Sequence, residues 1–119
     1  MDIEAFRNYC LSKKGVTEDL PFGPDNLVFK IMGKMFALAS LDEVPLRVNL
    51  KCDPERALSL REEYPEWILP GYHMNKMHWN TLVLGGFLQK SIIFGLVDQS
   101  YELVVLSLTK KLQQELKAL

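Results

Sequence analysis

The sequence predicts an α+β fold of two layers, an antiparallel sheet with helices packed on one face. Three observations lead there. Residues 46–52 alternate strictly, with Arg47, Asn49 and Lys51 on one side and Leu46, Val48, Leu50 and Cys52 on the other, the period-two pattern of a strand with one buried face. Two apolar runs, Leu27 to Met32 and Met35 to Leu41, are separated only by Gly33-Lys34, and so short a link joins antiparallel neighbours. The last third carries a helical stripe of Leu88, Ile92, Ile93, Leu96, Val97, Tyr101, Val104 and Leu108, an apolar face that a sheet can cover.

Each element has its own local reasons. The chain opens with a helix: Ile3, Phe6 and Cys10 share a face, and Gly15 ends it after Lys13 and Lys14, whose charges suit a helix C-terminus. Pro21-Phe22-Gly23-Pro24-Asp25-Asn26 is turn chemistry. The two apolar runs form a hairpin whose Gly33-Lys34 link fits a type II′ turn. Asp42-Glu43-Val44-Pro45 turns the chain into the strand at 46–52. Asp53 at the N-cap and Pro54 at the first helical position start a second helix through Ala57, Leu58, Leu60, Arg61 and Tyr64, which Pro65 stops.

Trp67 to Leu69 is a short extended piece before Pro70-Gly71. His78 to Leu84 reads as another strand, with Trp79, Thr81 and Val83 on one face, and Gly85-Gly86 ends it. Gly95 is the weak point of the long helical stripe. Phe94 and Leu106 fall away from the centre of the stripe, where a small exposed apolar patch would lie. Thr109 caps a final short helix bearing Leu112 and Leu116. No repeat or linker interrupts this order, so the expectation is one domain over residues 1–119.

Composition narrows the function. Lys and Arg total 14 against 15 Asp and Glu, a net charge of -1, which excludes a strongly basic nucleic-acid coat and confines any phosphate-binding surface to a local patch. Two cysteines, Cys10 and Cys52, do not make a secreted disulfide scaffold or a cysteine-only zinc site. No apolar run approaches the roughly 20 residues of a membrane helix, and the start Met1-Asp2-Ile3-Glu4 lacks the order of a signal peptide. A reduced, cytoplasmic setting with no membrane contact is expected.

The charge is polarised. Residues 27–52 hold four cations against two carboxylates, and residues 53–66 hold two cations against five carboxylates. Arg47, Asn49 and Lys51 form a polar row on one sheet face, with Lys30 on an adjacent strand, and Lys34 follows at the hairpin. Such a row can position phosphates. The plainer reading is the solvated face of a half-covered sheet. A second cluster, Pro70 to Asn80, mixes Tyr72, His73, Asn75, Lys76, His78 and Trp79. Lys76 there can meet a phosphate and a ring can stack on a base. The plainer reading has Trp79 and Met77 plugging the core.

Catalysis and metal binding find little support. His73 and His78 are five apart with no Glu between them, which matches no zinc spacing. Cys10 and Cys52 fall on apolar faces, where thiols are inert. Ser40, Ser91, Ser100 and Ser107 lack a nucleophile-elbow context, and Gly85-Gly86 is not a phosphate loop. No enzyme activity, cofactor or metal is expected.

Pro21-Phe22-Gly23-Pro24-Asp25, Val28-Phe29-Lys30 and Gly33-Lys34-Met35-Phe36-Ala37 resemble the front half of the MmcQ/YjbR family. Arg47-Val48-Asn49-Leu50-Lys51-Cys52-Asp53-Pro54 continues the resemblance. Pro70-Gly71-Tyr72-His73-Met74-Asn75-Lys76 with His78-Trp79-Asn80 is its most distinctive stretch, and Ser100 to Val104 and Leu108 to Leu112 close it. The resemblance implies a small bacterial cytoplasmic protein with a fold similar to type III secretion chaperones. It also implies DNA binding through a double-wing arrangement of the sheet. Carried over by position, the residues it implies for a weak or local DNA site are Lys30, Lys34, Arg47, Asn49, Lys51, His73, Asn75, Lys76 and His78.

The alternative is a protein-interaction or chaperone-like module. A monomer is the expected state. The chain departs from the family pattern at Leu88 to Gly95, where a more acidic, polar helix start is usual, and that departure mildly raises the chance of self-association.

Overall fold

The computed structural model describes residues 1–71 and 74–119. The chain runs as α1 (Ile3–Leu11), β1 (Val16–Asp19), β2 (Asn26–Ile31), β3 (Lys34–Ser40), β4 (Leu46–Lys51), α2 (Pro54–Glu63), β5 (Ile68–Pro70), β6 (Trp79–Leu84), α3 (Lys90–Ser107) and α4 (Lys110–Lys117). The strands form one six-stranded sheet of order β1-β2-β3-β4-β6-β5, with every neighbouring pair antiparallel. The helices pack on one face, as the sequence predicts.

Local chemistry sets the helix ends. Asp2, Asp53 and Thr109 each accept a hydrogen bond from the backbone N–H three residues on, at 2.9, 3.3 and 3.2 Å, which satisfies a donor with no partner inside the helix. β1 is an addition to the elements the sequence predicts: Val16 pairs with Ile31 and Asp19 with Val28 along the sheet edge.

The hairpin differs from the sequence expectation by one residue. Ile31 pairs with Lys34, so the two turn residues are Met32 and Gly33, with φ of 49° and 84°. Positive φ at both positions is the type I′ pattern, not type II′. That turn matches the right-handed twist of the strands it joins, and the ladder outweighs the cost of a left-handed Met32.

One bulge reorganises β3. Phe29 pairs with Ala37 and Lys30 with Met35, which leaves Phe36 as the extra residue. Phe36 and Ala37 are both fully buried, and the Phe36 ring meets Tyr101 of α3 edge-on at 5.7 Å. The bulge therefore returns Met35 to the helix-free face. Pairing of β3 with β4 stops at Ala37 and Leu50. Beyond it, buried Ser100 of α3 bridges the diverging strands, its Oγ accepting from Lys51 N at 2.9 Å and donating to the Phe36 carbonyl at 2.5 Å.

The core lies between sheet and helices, with Phe6, Phe29, Phe36, Ile31, Ile93 and Val97 among its fully enclosed side chains. Cys10 and Cys52 are buried free thiols. Burial pushes the Cys10 thiol up to about 12 and raises that of Cys52 as well. Phe94 does not form the exposed patch expected of it: its ring stacks on Tyr9 at 3.8 Å, while Leu106 does stand exposed. Tyr9 also donates to Asp98 of α3 at 2.6 Å, and Lys13 pairs with the same oxygen at 2.6 Å.

Candidate ligand cleft on the helix-free face

The register determines which side chains share the face without helices. Asn26, Ser40 and Arg47 lie side by side across β2, β3 and β4. The next row on that face is Val28, Leu38, Asn49 and Thr81. Side chains directly opposite in an antiparallel ladder point the same way, so these rows form one surface. It is not simply solvated. Val28, Leu38 and Asn49 are 0%, 7% and 4% exposed.

A cleft of about 740 Å³ occupies this surface, lined by Asn26, Met35, Leu38, Ser40, Arg47, Asn49 and Thr81 from the sheet. Phe22 and Met74 join them from the loops on either side, and Asp42 and Glu43 from the turn before β4. This volume falls within the roughly 300–1,000 Å³ of small-molecule sites. Apolar Phe22, Met35, Leu38 and Met74 share its lining with a few polar and charged groups, the usual composition of such sites.

The floor is built around one bond. Thr81 Oγ1 donates to Asn49 Oδ1 at 2.6 Å. The amide nitrogen of Asn49 makes no hydrogen bond among the described residues. No side-chain N or O sealed from solvent lacks a partner there, so Nδ2 must open on the cleft. Arg47 is half-buried, and among the described residues the only ion pairs are Arg7–Glu18 and Lys13–Asp98. The guanidinium of Arg47 and the carboxylates of Asp42 and Glu43 therefore share a cleft without pairing.

The residues expected at a DNA site are divided by the fold. Arg47 and Asn49 line the cleft. Lys30, opposite Met35, and Lys51, opposite Trp79, stand on the same face outside the lining. Lys34 turns away: its Nζ donates to the Ser107 carbonyl at 3.2 Å, at the end of α3, where a cation suits the helix dipole. Asn75 builds its own turn, its Oδ1 accepting from Met77 N at 2.9 Å and its carbonyl from Trp79 N at 2.9 Å. Lys76 is exposed, and His78 is half-buried with its carbonyl accepting from Cys52 N at 2.8 Å. His73 lies outside the described residues.

The loop carrying Asn75, Lys76 and His78 is fixed from behind. Arg61 of α2 donates through Nε to Asn80 Oδ1 at 2.7 Å and through Nη2 to the carbonyls of Lys76 and Trp79. The expectation that Met77 and Trp79 plug the core is corrected here: Met77 is 64% exposed and Trp79 half-buried, while Asn80 is the buried residue. The charged fork of Arg61 satisfies Asn80 on the helix side.

Phe22, Asn26, Met35, Leu38, Ser40, Asp42, Glu43, Met74 and Thr81 are cleft residues that sequence reasoning did not select. Alternation along β3 was the available signal for Leu38 and Ser40, whereas Met35 joins them only through the bulge at Phe36. Among the described residues no group of three or more His, Cys, Asp or Glu is placed to hold a metal ion. No helix among them is long and apolar enough to cross a membrane.

An antiparallel sheet covered by helices on one face and hollowed on the other defines a class of small α+β proteins. The chain belongs to the YjbR family, whose model matches residues 11–103. It is similar to the uncharacterized protein YbdF of Escherichia coli O157:H7, 44% identical over 98 residues that cover 82% of this chain and 79% of that protein. It is also similar to the uncharacterized protein YjbR of Escherichia coli strain K12, 34% identical over 105 residues that cover 88% of each. A crystal structure of Deinococcus radiodurans protein DR2400, from domain family DUF419, superposes with a TM-score of 0.90 at 38% identity, covering 97% of this chain and 87% of that one.

Proposed function

We propose that this protein is a non-enzymatic binding protein and that the helix-free cleft takes its ligand. The observation that carries this reading is Asn49. A side chain only 4% exposed turns toward a cleft of about 740 Å³ an amide donor that has no partner among the described residues. The amide is positioned by Thr81 and open to the cleft, so a bound acceptor meets a donor already oriented toward it. Ser40, the hydroxyl at the Arg47 end, has no hydrogen bond to a base among the described residues, so the lining offers recognition groups rather than an activated nucleophile. Buried free thiols at Cys10 and Cys52 accord with a reducing, cytoplasmic setting. The test is an NMR titration of the isotope-labelled protein with a library of small polar fragments. Shifts of the Asn49 side-chain amide are expected, and a library that leaves that amide unmoved overturns the reading.

DNA binding is the second reading. Its specific support is that Lys30, Arg47 and Lys51 share the helix-free face, with no ion pair among the described residues. Asp42 and Glu43 beside Arg47 weigh against a polyanion there. Fluorescence anisotropy with a labelled duplex at low salt tests it. This reading expects affinity to fall steeply with added salt and to fall again in Lys30→Glu and Lys51→Glu. No binding at low salt removes it.

A further inference from the structure

The geometry points to a small zwitterion with an apolar body, of the apolar amino-acid or short-peptide kind, as the ligand of the cleft. This rests on reading the cleft as a ligand site and adds the ligand's chemistry. Three features of the lining converge on it. The first is a pair of donors, the Arg47 guanidinium and the Asn49 amide nitrogen, both without a partner among the described residues. A planar fork beside an amide NH2 group suits a carboxylate. The second is the pair of acceptor carboxylates, Asp42 and Glu43, in the turn at the Arg47 end. Neither is neutralised by a cation among the described residues. They repel a second negative charge and attract an ammonium. The third is the apolar wall of Phe22, Met35, Leu38 and Met74, which gains by covering an aliphatic or aromatic body.

Other chemistries fit less of the lining. A simple carboxylate satisfies Arg47 and Asn49 and leaves the two acids facing one another's charge. A cation satisfies the acids and leaves the Asn49 amide donor unused. A polyanion meets Asp42 and Glu43 unfavourably. A ligand with both charges and an apolar body uses all three features. The two thioethers, Met35 and Met74, make that wall adaptable to different side chains, so discrimination falls on the charged ends. The volume leaves room for a peptide of a few residues as well as a single amino acid.

The experiment titrates the full-length isotope-labelled protein with L-leucyl-L-leucine, free L-leucine, and three blocked dipeptides. N-acetylation leaves only the carboxylate, a methyl ester only the ammonium, and both together neither charge. The free dipeptide or free leucine is expected to move the Asn49 side-chain amide and the Arg47 side chain, and the tighter of the two identifies the source. Each single block is expected to weaken binding about tenfold or more. Arg47→Gln is expected to abolish the advantage of a free carboxylate. The double variant Asp42→Asn with Glu43→Gln, both in an exposed turn, is expected to abolish the advantage of a free ammonium.

Equal binding of the N-acetyl and free dipeptides overturns the zwitterion while leaving the cleft as a ligand site. Binding that ignores Arg47→Gln overturns the carboxylate assignment. If neither these compounds nor any fragment moves the Asn49 amide, the zwitterion and the ligand site fall together.

Discussion

Thr81 Oγ1 donates to Asn49 Oδ1 across the β4–β6 ladder at 2.6 Å, and that bond decides which end of the Asn49 amide faces the cleft. An oxygen held by Thr81 leaves the nitrogen outward. The site's polarity is therefore built into the sheet. Asn49→Asp preserves the shape and the acceptor for Thr81 but replaces the outward donor with an acceptor. Ligand binding through a carboxylate is expected to weaken at least about tenfold, with an unfolding midpoint that shows the protein still folded. Calorimetric titration against the wild type reads the difference.

Ser100 joins α3 to the point where β3 and β4 diverge. Ser100→Ala leaves the Lys51 N–H and the Phe36 carbonyl without their shared partner. A loss of about 1–3 kcal/mol is expected, the usual range for stranding a buried polar group. Urea denaturation measures it, and Ser100→Thr, which keeps the hydroxyl, separates the hydrogen bonds from simple packing.

Arg61 holds the loop before β6 through Asn80 and the carbonyls of Lys76 and Trp79. Arg61→Leu keeps the bulk and removes every donor. A loss of about 1.5–3 kcal/mol is expected for hydrogen bonds to a charged group. Amide exchange at His78 and Trp79, whose N–H groups bond to the Asn75 carbonyl at 3.2 and 2.9 Å, is expected to speed up beyond that of β3. Uniform acceleration across the molecule would argue against a local clamp.

The Tyr9–Asp98–Lys13 cluster ties α1 to α3 and responds to pH at both ends. Burial raises the Asp98 carboxyl, but hydrogen bonds from Lys13 and Tyr9 and the charge of Lys13 outweigh it, holding Asp98 below the ordinary carboxylate value. Its contribution is complete above the unfolded value, about 3.9, and is lost as pH falls through the lower folded one. Tyr9 acts in the opposite direction. The bond to Asp98, aided by burial, lifts its phenol from 10.0 to about 12, so its contribution holds below the ordinary value and is lost as pH rises across that window. Asp98 is 47% exposed, and solvent screening keeps its share to about 1 kcal/mol or less. Tyr9→Phe is expected to be less stable than wild type at neutral pH, with the gap narrowing in strong acid. Denaturation midpoints across pH test both limbs.

Much of the fold was legible because the strongest signals were local. The alternation of 46–52, the Asp53-Pro54 start and the Thr109 cap each depend on a few neighbouring residues, and each appears where the sequence places it. Val16-Thr17-Glu18-Asp19 was not legible as a strand. It is short and mostly polar, and it is held by pairing with β2 rather than by its own composition. The hairpin turn moved by one residue because the ladder, not the glycine alone, chose the register. The cleft was half legible. Arg47 and Asn49 follow from alternation in one strand. Phe22, Met74 and the Asp42–Glu43 pair reach the site only through loops folded over the sheet, which no spacing encodes. Lys34 looked equivalent to Lys30 in sequence, yet its place at the hairpin end sends it to Ser107.

The two enclosed thiols give the molecule a built-in clock. Cys10 sits on the buried face of α1 and Cys52 where β4 hands over to α2, and a buried thiol with a raised pKa scarcely reacts while the fold is closed. A small alkylating reagent must wait for each cover to lift. Under conditions where reclosing is faster than alkylation, the two labelling rates report separately what fraction of the time the first helix and the β4–α2 junction stand open, without any introduced probe.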